Sequence, residues 1–82
     1  MKLLVAEGEP IVLDTVKSIM ELDGCEVSNF EDSRKAARLL ETEKFNGLLV
    51  EARMPNLDGF EFTRRVRALS LNTKAPVVML IG

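Results

Sequence analysis

The chain has 82 residues, one domain's worth and near the lower size limit at which a hydrophobic core folds unaided. With 46% apolar and 29% charged residues it is a globular composition, and a net charge of −2 with interspersed signs offers no nucleic-acid footprint. One cysteine excludes a disulfide framework or thiolate metal site, and the lack of histidine removes the commonest general base.

Met1-Lys2-Leu3-Leu4-Val5 enters a strand pattern directly and lacks a signal-peptide cleavage region. No apolar run approaches the roughly 20 residues of a membrane span. A cytoplasmic protein is expected. Lys2 to Ala6 reads as a first strand, and Glu7-Gly8-Glu9-Pro10 as the turn after it, with Pro10 suited to a first helical turn. From Ile11 to Leu22 the residues Val12, Val16, Ile19 and Met20 recur at three and four, giving one helix face. Gly24 stops that helix as a left-handed cap, and Cys25 is expected in the core or at its boundary. Glu26 to Asn29 is a short second strand. Asp32 or Ser33 can cap the next helix, in which Ala36, Ala37, Leu39 and Leu40 face inward.

Gly47 to Val50 is a continuous, buried third strand. The third helix runs from about Gly59 to Leu69 with Phe62, Val66 and Leu69 as its buried stripe. Its bases Arg64, Arg65 and Arg67 alternate with apolar residues, the pattern of a solvated face. Asn72-Thr73-Lys74 is a loop, and Pro76 to Ile81 is a fourth strand. There are no repeats, low-complexity tracts or linkers. The order β-α-β-α-β-α-β predicts a twisted parallel sheet.

Three segments carry a resemblance. In Leu48-Leu49-Val50-Glu51-Ala52-Arg53-Met54-Pro55-Asn56-Leu57-Asp58-Gly59 a buried strand delivers a carboxylate to the sheet's C-terminal edge, where α/β folds bind ligands. Val5-Ala6-Glu7-Gly8-Glu9-Pro10 ends the first strand in acids, and Pro76-Val77-Val78-Met79-Leu80-Ile81-Gly82 forms the last strand. The set closely resembles the receiver domain of two-component response regulators over the whole chain, residues 1–82. The resemblance implies a flavodoxin-like (CheY-like) doubly wound parallel sheet with strand order 2-1-3-4, incomplete because the family's last helix, strand and helix are not in this sequence. Val77 to Ile81 would then be an open, uncharged edge, and the first helix's apolar face would lack its usual cover.

The same resemblance implies a site. In the family two acids after the first strand hold a divalent cation, an aspartate after the third strand accepts a phosphoryl group from a histidine kinase, a Ser or Thr ends the fourth strand, and a Lys follows the fifth. Here Glu7 keeps one acid, one methylene longer, and Gly8 removes the other. Glu9 is a neighbouring acid whose plain reading is a charge favoured by the helix N-terminus. Glu51 stands at the phospho-acceptor position, where its extra methylene displaces the carboxylate from in-line geometry. Arg53 would offer its carbonyl to the metal, while its side chain is expected to pair with Glu51 or Glu7. Ile81 replaces the switch hydroxyl. Mg²⁺ at Glu7 and Glu51 is therefore expected to be weak or absent, with no other cofactor.

The expected function is a non-enzymatic receiver-like signalling module, independent of phosphorylation and acting through protein–protein contacts. The partner is a protein, or a second copy meeting the fourth-strand edge, with a histidine kinase upstream if the family's input is retained. No nucleic acid or membrane is expected. Two alternatives stand beside this: a phosphorylatable receiver using Mg²⁺ with Glu51 as acceptor, and the N-terminal part of a longer regulator bearing an output domain. Met54 to Gly59 matches the family's loop and reads as structural, with Pro55 holding Met54 extended, Asp58 capping the third helix and Gly59 permitting a close approach.

Overall fold

A computed structural model describes residues 1–81; Gly82, the last residue of the expected domain span, lies outside the described residues. The elements are β1 (Lys2–Ala6), α1 (Pro10–Leu22), β2 (Glu26–Phe30), α2 (Ser33–Leu39), β3 (Gly47–Glu51), α3 (Gly59–Leu69) and β4 (Val77–Leu80). All four strands lie in one parallel sheet ordered β2-β1-β3-β4. Fold class and strand order are those expected. Two strands run one residue further than the sequence suggested, to Phe30 and Glu51. The fourth stops at Leu80, so Ile81 is not part of it.

Period-two alternation splits the strands between two unequal faces. Leu4, Ala6, Leu48 and Val50 point to a core closed by Ala36, Ala37 and Leu40 from the α2 segment and by Phe62 and Val66 of α3. Leu3 and Val5 point the other way, toward α1, whose one buried residue is Leu13. The periodic face expected on α1 is therefore only partly used: Val16 and Met20 are half-buried, while Val12 and Ile19 are exposed. The cause is tertiary. The main contacts of α1 are with β1 and β2, and among the described residues Val12 and Ile19 lie outside them. Leu69, expected in the α3 stripe, is the helix's last residue and is 69% exposed.

The helix ends follow their side chains. Asp32, rather than Ser33, caps α2 by accepting from the Arg34 N–H, and Asp58 caps α3 by accepting from the Glu61 N–H at 2.8 Å. Gly24 closes α1 at φ +80°, and the neighbouring Cys25 is half-buried at the boundary. Pro10 opens α1.

Asn72 lies in the expected loop between α3 and β4, but its side chain points inward. It is buried; its amide donates to the Leu40 and Glu43 carbonyls at 2.9 and 2.8 Å, and its Oδ1 accepts from the Phe45 N–H at 2.8 Å. One side chain thus satisfies three backbone groups of the α2–β3 connection, which sets where β3 begins.

Candidate functional site

The site is placed by register. Ala6 pairs with Val50, so the residues that follow them, Glu7 and Glu51, emerge side by side at the sheet's C-terminal edge. Glu51 in turn pairs with Leu80 of β4. Glu7 is held inward because its own N–H still donates to the Phe30 carbonyl at 3.0 Å, extending the β1 geometry past Ala6. Its carboxyl is 4% exposed and accepts from the Glu9 N–H at 3.2 Å. Glu9 is the N-cap residue of α1 but makes no capping bond with its side chain. Instead it faces the opening that Glu7 and Glu51 line. These residues surround a cavity of about 460 Å³ whose other walls are Val12, Arg53, Leu80 and Ile81.

Glu51 is fixed by the loop that follows it. Gly59 donates to the Ala52 carbonyl at 2.9 Å, bringing the start of α3 against the end of β3. A Cβ at position 59 would lie 2.5 Å from the Glu51 carbonyl oxygen and 2.9 Å from the Ala52 Cα, so only glycine fits. Between them Met54 is buried in the core and Asn56 takes the left-handed conformation at φ 72°, which asparagine tolerates. Buried Ser33 donates from α2 to the Leu57 carbonyl and ties the loop down. The family-like loop is thus a rigid mount for Glu51's backbone.

Burial, and next the hydrogen bond with Glu51, push the Glu7 carboxyl above its usual range; the Glu9 N–H opposes them, and the charges of Glu51 and Glu9 add to the rise. Glu51 Oε2 beside it is buried and has no hydrogen-bond partner among the described residues. Arg53 does not neutralise the pair: the ion pairs among the described residues are Lys2–Glu43, Arg34–Asp32 and Arg64–Glu61, and Arg53 is an exposed wall of the cavity. Its reach to the acids would cost side-chain order in a solvated position, for little gain. Ile81 is 77% exposed and brings a hydrocarbon surface to the cavity.

As they stand, these residues do not fit a divalent cation. A Cβ at Gly8 would lie 3.9 Å from both Glu51 carboxylate oxygens, which marks an open cradle where a second acid would sit. No group of three acids placed to hold a metal occurs among the described residues, and the Glu7 carboxyl, whose pKa is raised, would have to give up its proton to bind one. Of the residues singled out in the sequence, Glu7, Glu9, Glu51, Arg53 and Ile81 line this one cavity. Sequence reasoning missed Val12 and Leu80 as cavity walls, and Ser33 and Asn72 as anchors. Val12 was visible only as part of a helix stripe, and no local pattern marks Ser33 or Asn72.

Among known proteins, the family model described as "Response regulator receiver domain" matches residues 3–82. An uncharacterised 14.6 kDa protein of Leptolyngbya boryana is 32% identical over 98% of this chain and 61% of its own length. The peroxide stress-activated histidine kinase mak3 of Schizosaccharomyces pombe is 37% identical over 83% of this chain and 3% of its own length. The receiver domain of a Pseudomonas aeruginosa sensor histidine kinase, solved with magnesium in its active-site cleft, superimposes with a TM-score of 0.90 at 26% identity. That match covers 95% of this chain and 64% of the other, so the chain spans less than two thirds of either relative or solved receiver. A receiver domain from Methylobacillus flagellatus, at TM-score 0.91 and 18% identity, shows the shared fold.

Proposed function

The chain belongs to the response regulator receiver family, and from that premise we propose a cytoplasmic signalling module that works by protein contact, without phosphotransfer. The observation that carries this reading is the Glu7–Glu51 pair. The side chain at the acceptor-equivalent position lies beside a buried acid of raised pKa, in a pocket whose second metal-ligand position is Gly8. A phosphoryl group on Glu51 would add nearly two negative charges beside Glu7 and Glu9 and would find no hydroxyl at Ile81. The longer side chain also departs from in-line geometry, where errors near 1 Å cost on the order of a hundredfold in rate.

Receiver domains are signalling modules, and nothing in this pocket supplies a catalytic group beyond its acids. The contact surface in this proposal is the β4 edge, which has a strand neighbour on one side only among the described residues. A histidine kinase remains the natural upstream partner by family, since the Schizosaccharomyces relative is itself one. Incubation with acetyl phosphate and Mg²⁺, read by intact mass, tests the reading. No stable phosphoryl adduct is expected. An adduct that maps to Glu51 overturns it in favour of a phosphorylatable receiver.

A further inference from the structure

The N-terminal ends of β1 and β3 are joined through one residue. Asn46, which precedes β3, donates its N–H to the Lys2 carbonyl at 2.7 Å and accepts the Lys2 N–H on its Oδ1 at 2.7 Å. Both backbone groups of Lys2 are therefore held by Asn46, much as a paired strand residue would hold them. The Lys2 side chain is fixed as well, its Nζ paired with Glu43 at 2.5 Å and lying 4.8 Å from the centre of the Phe45 ring. Gly47 follows, buried and opposite Leu3, where a Cβ would lie 3.1 Å from the Leu3 Cδ2. None of these groups is at a sheet edge, since β1 and β3 are the two central strands.

Asn46-Gly47 is also a chemically reactive pair. Asparagine is among the thermolabile residues, and of Asn29, Asn46, Asn56 and Asn72 only Asn46 precedes glycine. Glycine has no side chain to shield its nitrogen and leaves the backbone free to fold back. We infer that Asn46 is a deamidation site whose reaction is gated by opening of the Asn46–Lys2 clamp. In the reaction the Gly47 nitrogen loses its proton to solvent and bonds to the Asn46 Cγ, while the side-chain nitrogen takes up a proton and leaves as ammonia. One water then opens the five-membered imide. Opening at Cγ gives aspartate; opening at the residue's own backbone carbonyl gives isoaspartate, whose chain runs on through the side chain and leaves the α-carboxylate free. Attack requires Cγ to swing onto the Gly47 nitrogen. In the fold the carboxamide is turned to Lys2 instead, and pairing of Gly47 with Leu3 holds the intervening peptide.

The fold tolerates the two products unequally. Aspartate keeps an oxygen where Oδ1 accepts the Lys2 N–H, and its new charge is at an exposed position. Isoaspartate inserts one backbone carbon between residues 46 and 47. The residue-46 N–H then cannot reach the Lys2 carbonyl while Gly47 stays opposite Leu3, so either the clamp or the start of the β1–β3 register is lost. Opening of the clamp is a local event that does not require the whole chain to unfold, and the deamidation rate reads how often it occurs.

Prolonged warm incubation at mildly alkaline pH tests this, read by intact mass and by peptide mapping that separates aspartyl from isoaspartyl forms. The chain unfolded in guanidinium chloride should gain one dalton, mapped to Asn46. The folded chain should react roughly tenfold or more slowly. Asp23-Gly24 and Asp58-Gly59 can form the same imide, but they lose a water and regain it, so the mass reports asparagine alone. Lys2→Pro removes the donor to Asn46 Oδ1 at the first residue of β1, where proline is tolerated; Lys2→Ala removes the ammonium and keeps that donor. With folding of both checked by circular dichroism, Lys2→Pro should deamidate several-fold faster than Lys2→Ala. Hydrogen exchange at the Lys2 and Asn46 amides of the parent gives the opening frequency without any variant, and deamidation in the folded chain should rise with it as low denaturant is added. An unfolded chain unmodified at Asn46, a folded chain reacting as fast as the unfolded one, or Lys2→Pro no faster than Lys2→Ala overturns the inference. So does deamidation that follows global unfolding rather than exchange at those two amides. Isoaspartyl protein should unfold at lower urea than the aspartyl product, and equal midpoints refute the register argument.

Discussion

Replacing Gly59 by alanine is expected to unseat the site from below. The new Cβ would sit 2.5 Å from the Glu51 carbonyl oxygen, 2.9 Å from the Ala52 Cα and 3.1 Å from the Glu51 carbonyl carbon. Ordinary carbon contacts lie near 3.5–4.0 Å, so the start of α3 must retreat by about 1 Å. All three neighbours are backbone atoms, and none can swing aside as a side-chain tip would. Retreat stretches the 2.9 Å bond from the Gly59 N–H to the Ala52 carbonyl and strains the Asp58 cap. Overpacking of this kind costs about 1–3 kcal/mol, and a weakened backbone bond adds about 1 kcal/mol. Alanine's better helix propensity returns at most about 1 kcal/mol, less at a first turn. The net loss is about 2–3 kcal/mol, a large share of the roughly 4–12 kcal/mol expected of a domain this size. Urea unfolding should show the midpoint falling by about 1–2 M at unchanged slope. Gly8→Ala is the matched control, since its Cβ would meet nothing nearer than 3.9 Å. A Gly59→Ala protein within about 0.5 kcal/mol of the parent would refute the claim that backbone contact at this point mounts Glu51.

The raised Glu7 pKa makes a pH-dependent term. Above the ordinary value of 4.5 the unfolded chain has lost a proton that the folded chain still holds. Stability from this group is therefore full below that value and falls as pH rises through the folded one. Glu7→Gln should remove that fall, so the difference in unfolding free energy between variant and parent should grow in the variant's favour from pH 4 to pH 7. A flat difference would refute the raised Glu7 pKa. Gly8→Asp should create Mg²⁺ binding, raising the melting temperature in 10 mM Mg²⁺ where the parent's barely moves; calorimetry showing equal affinity for both would count against the open cradle. Asn72→Ala should cost about 1–3 kcal/mol in urea unfolding, because it strands the buried Phe45 N–H and removes the side-chain donor to the Glu43 carbonyl, while the Leu40 carbonyl keeps the Leu71 N–H. A loss under about 0.5 kcal/mol would show that water replaces the side chain without penalty.

The element order, the parallel sheet and the placing of Glu7, Glu9 and Glu51 at one sheet edge followed from the sequence. Strand and helix periods are local properties, and a strand ending in an acid puts that acid at the edge wherever the sheet forms. Gly8 and Ile81 were legible for the same reason, as departures inside a recognisable local pattern. What the sequence could not say was decided by neighbours distant along the chain. Leu13 is buried while Val12 and Ile19 are not, because only the α1 side toward β1 and β2 meets the sheet. Asn72 is a buried clasp within its loop, because the connection after Leu40 arrives beside it, about thirty positions away in sequence. Arg53 leaves the acids alone, and Glu7 lies buried beside Glu51 with a raised pKa, because β1 and β3 pair at that register. Periodicity needs only the residues within a turn or two. Burial, a shifted pKa and backbone clasps need to know what arrives from the far end of the chain, and that information exists only once it has folded.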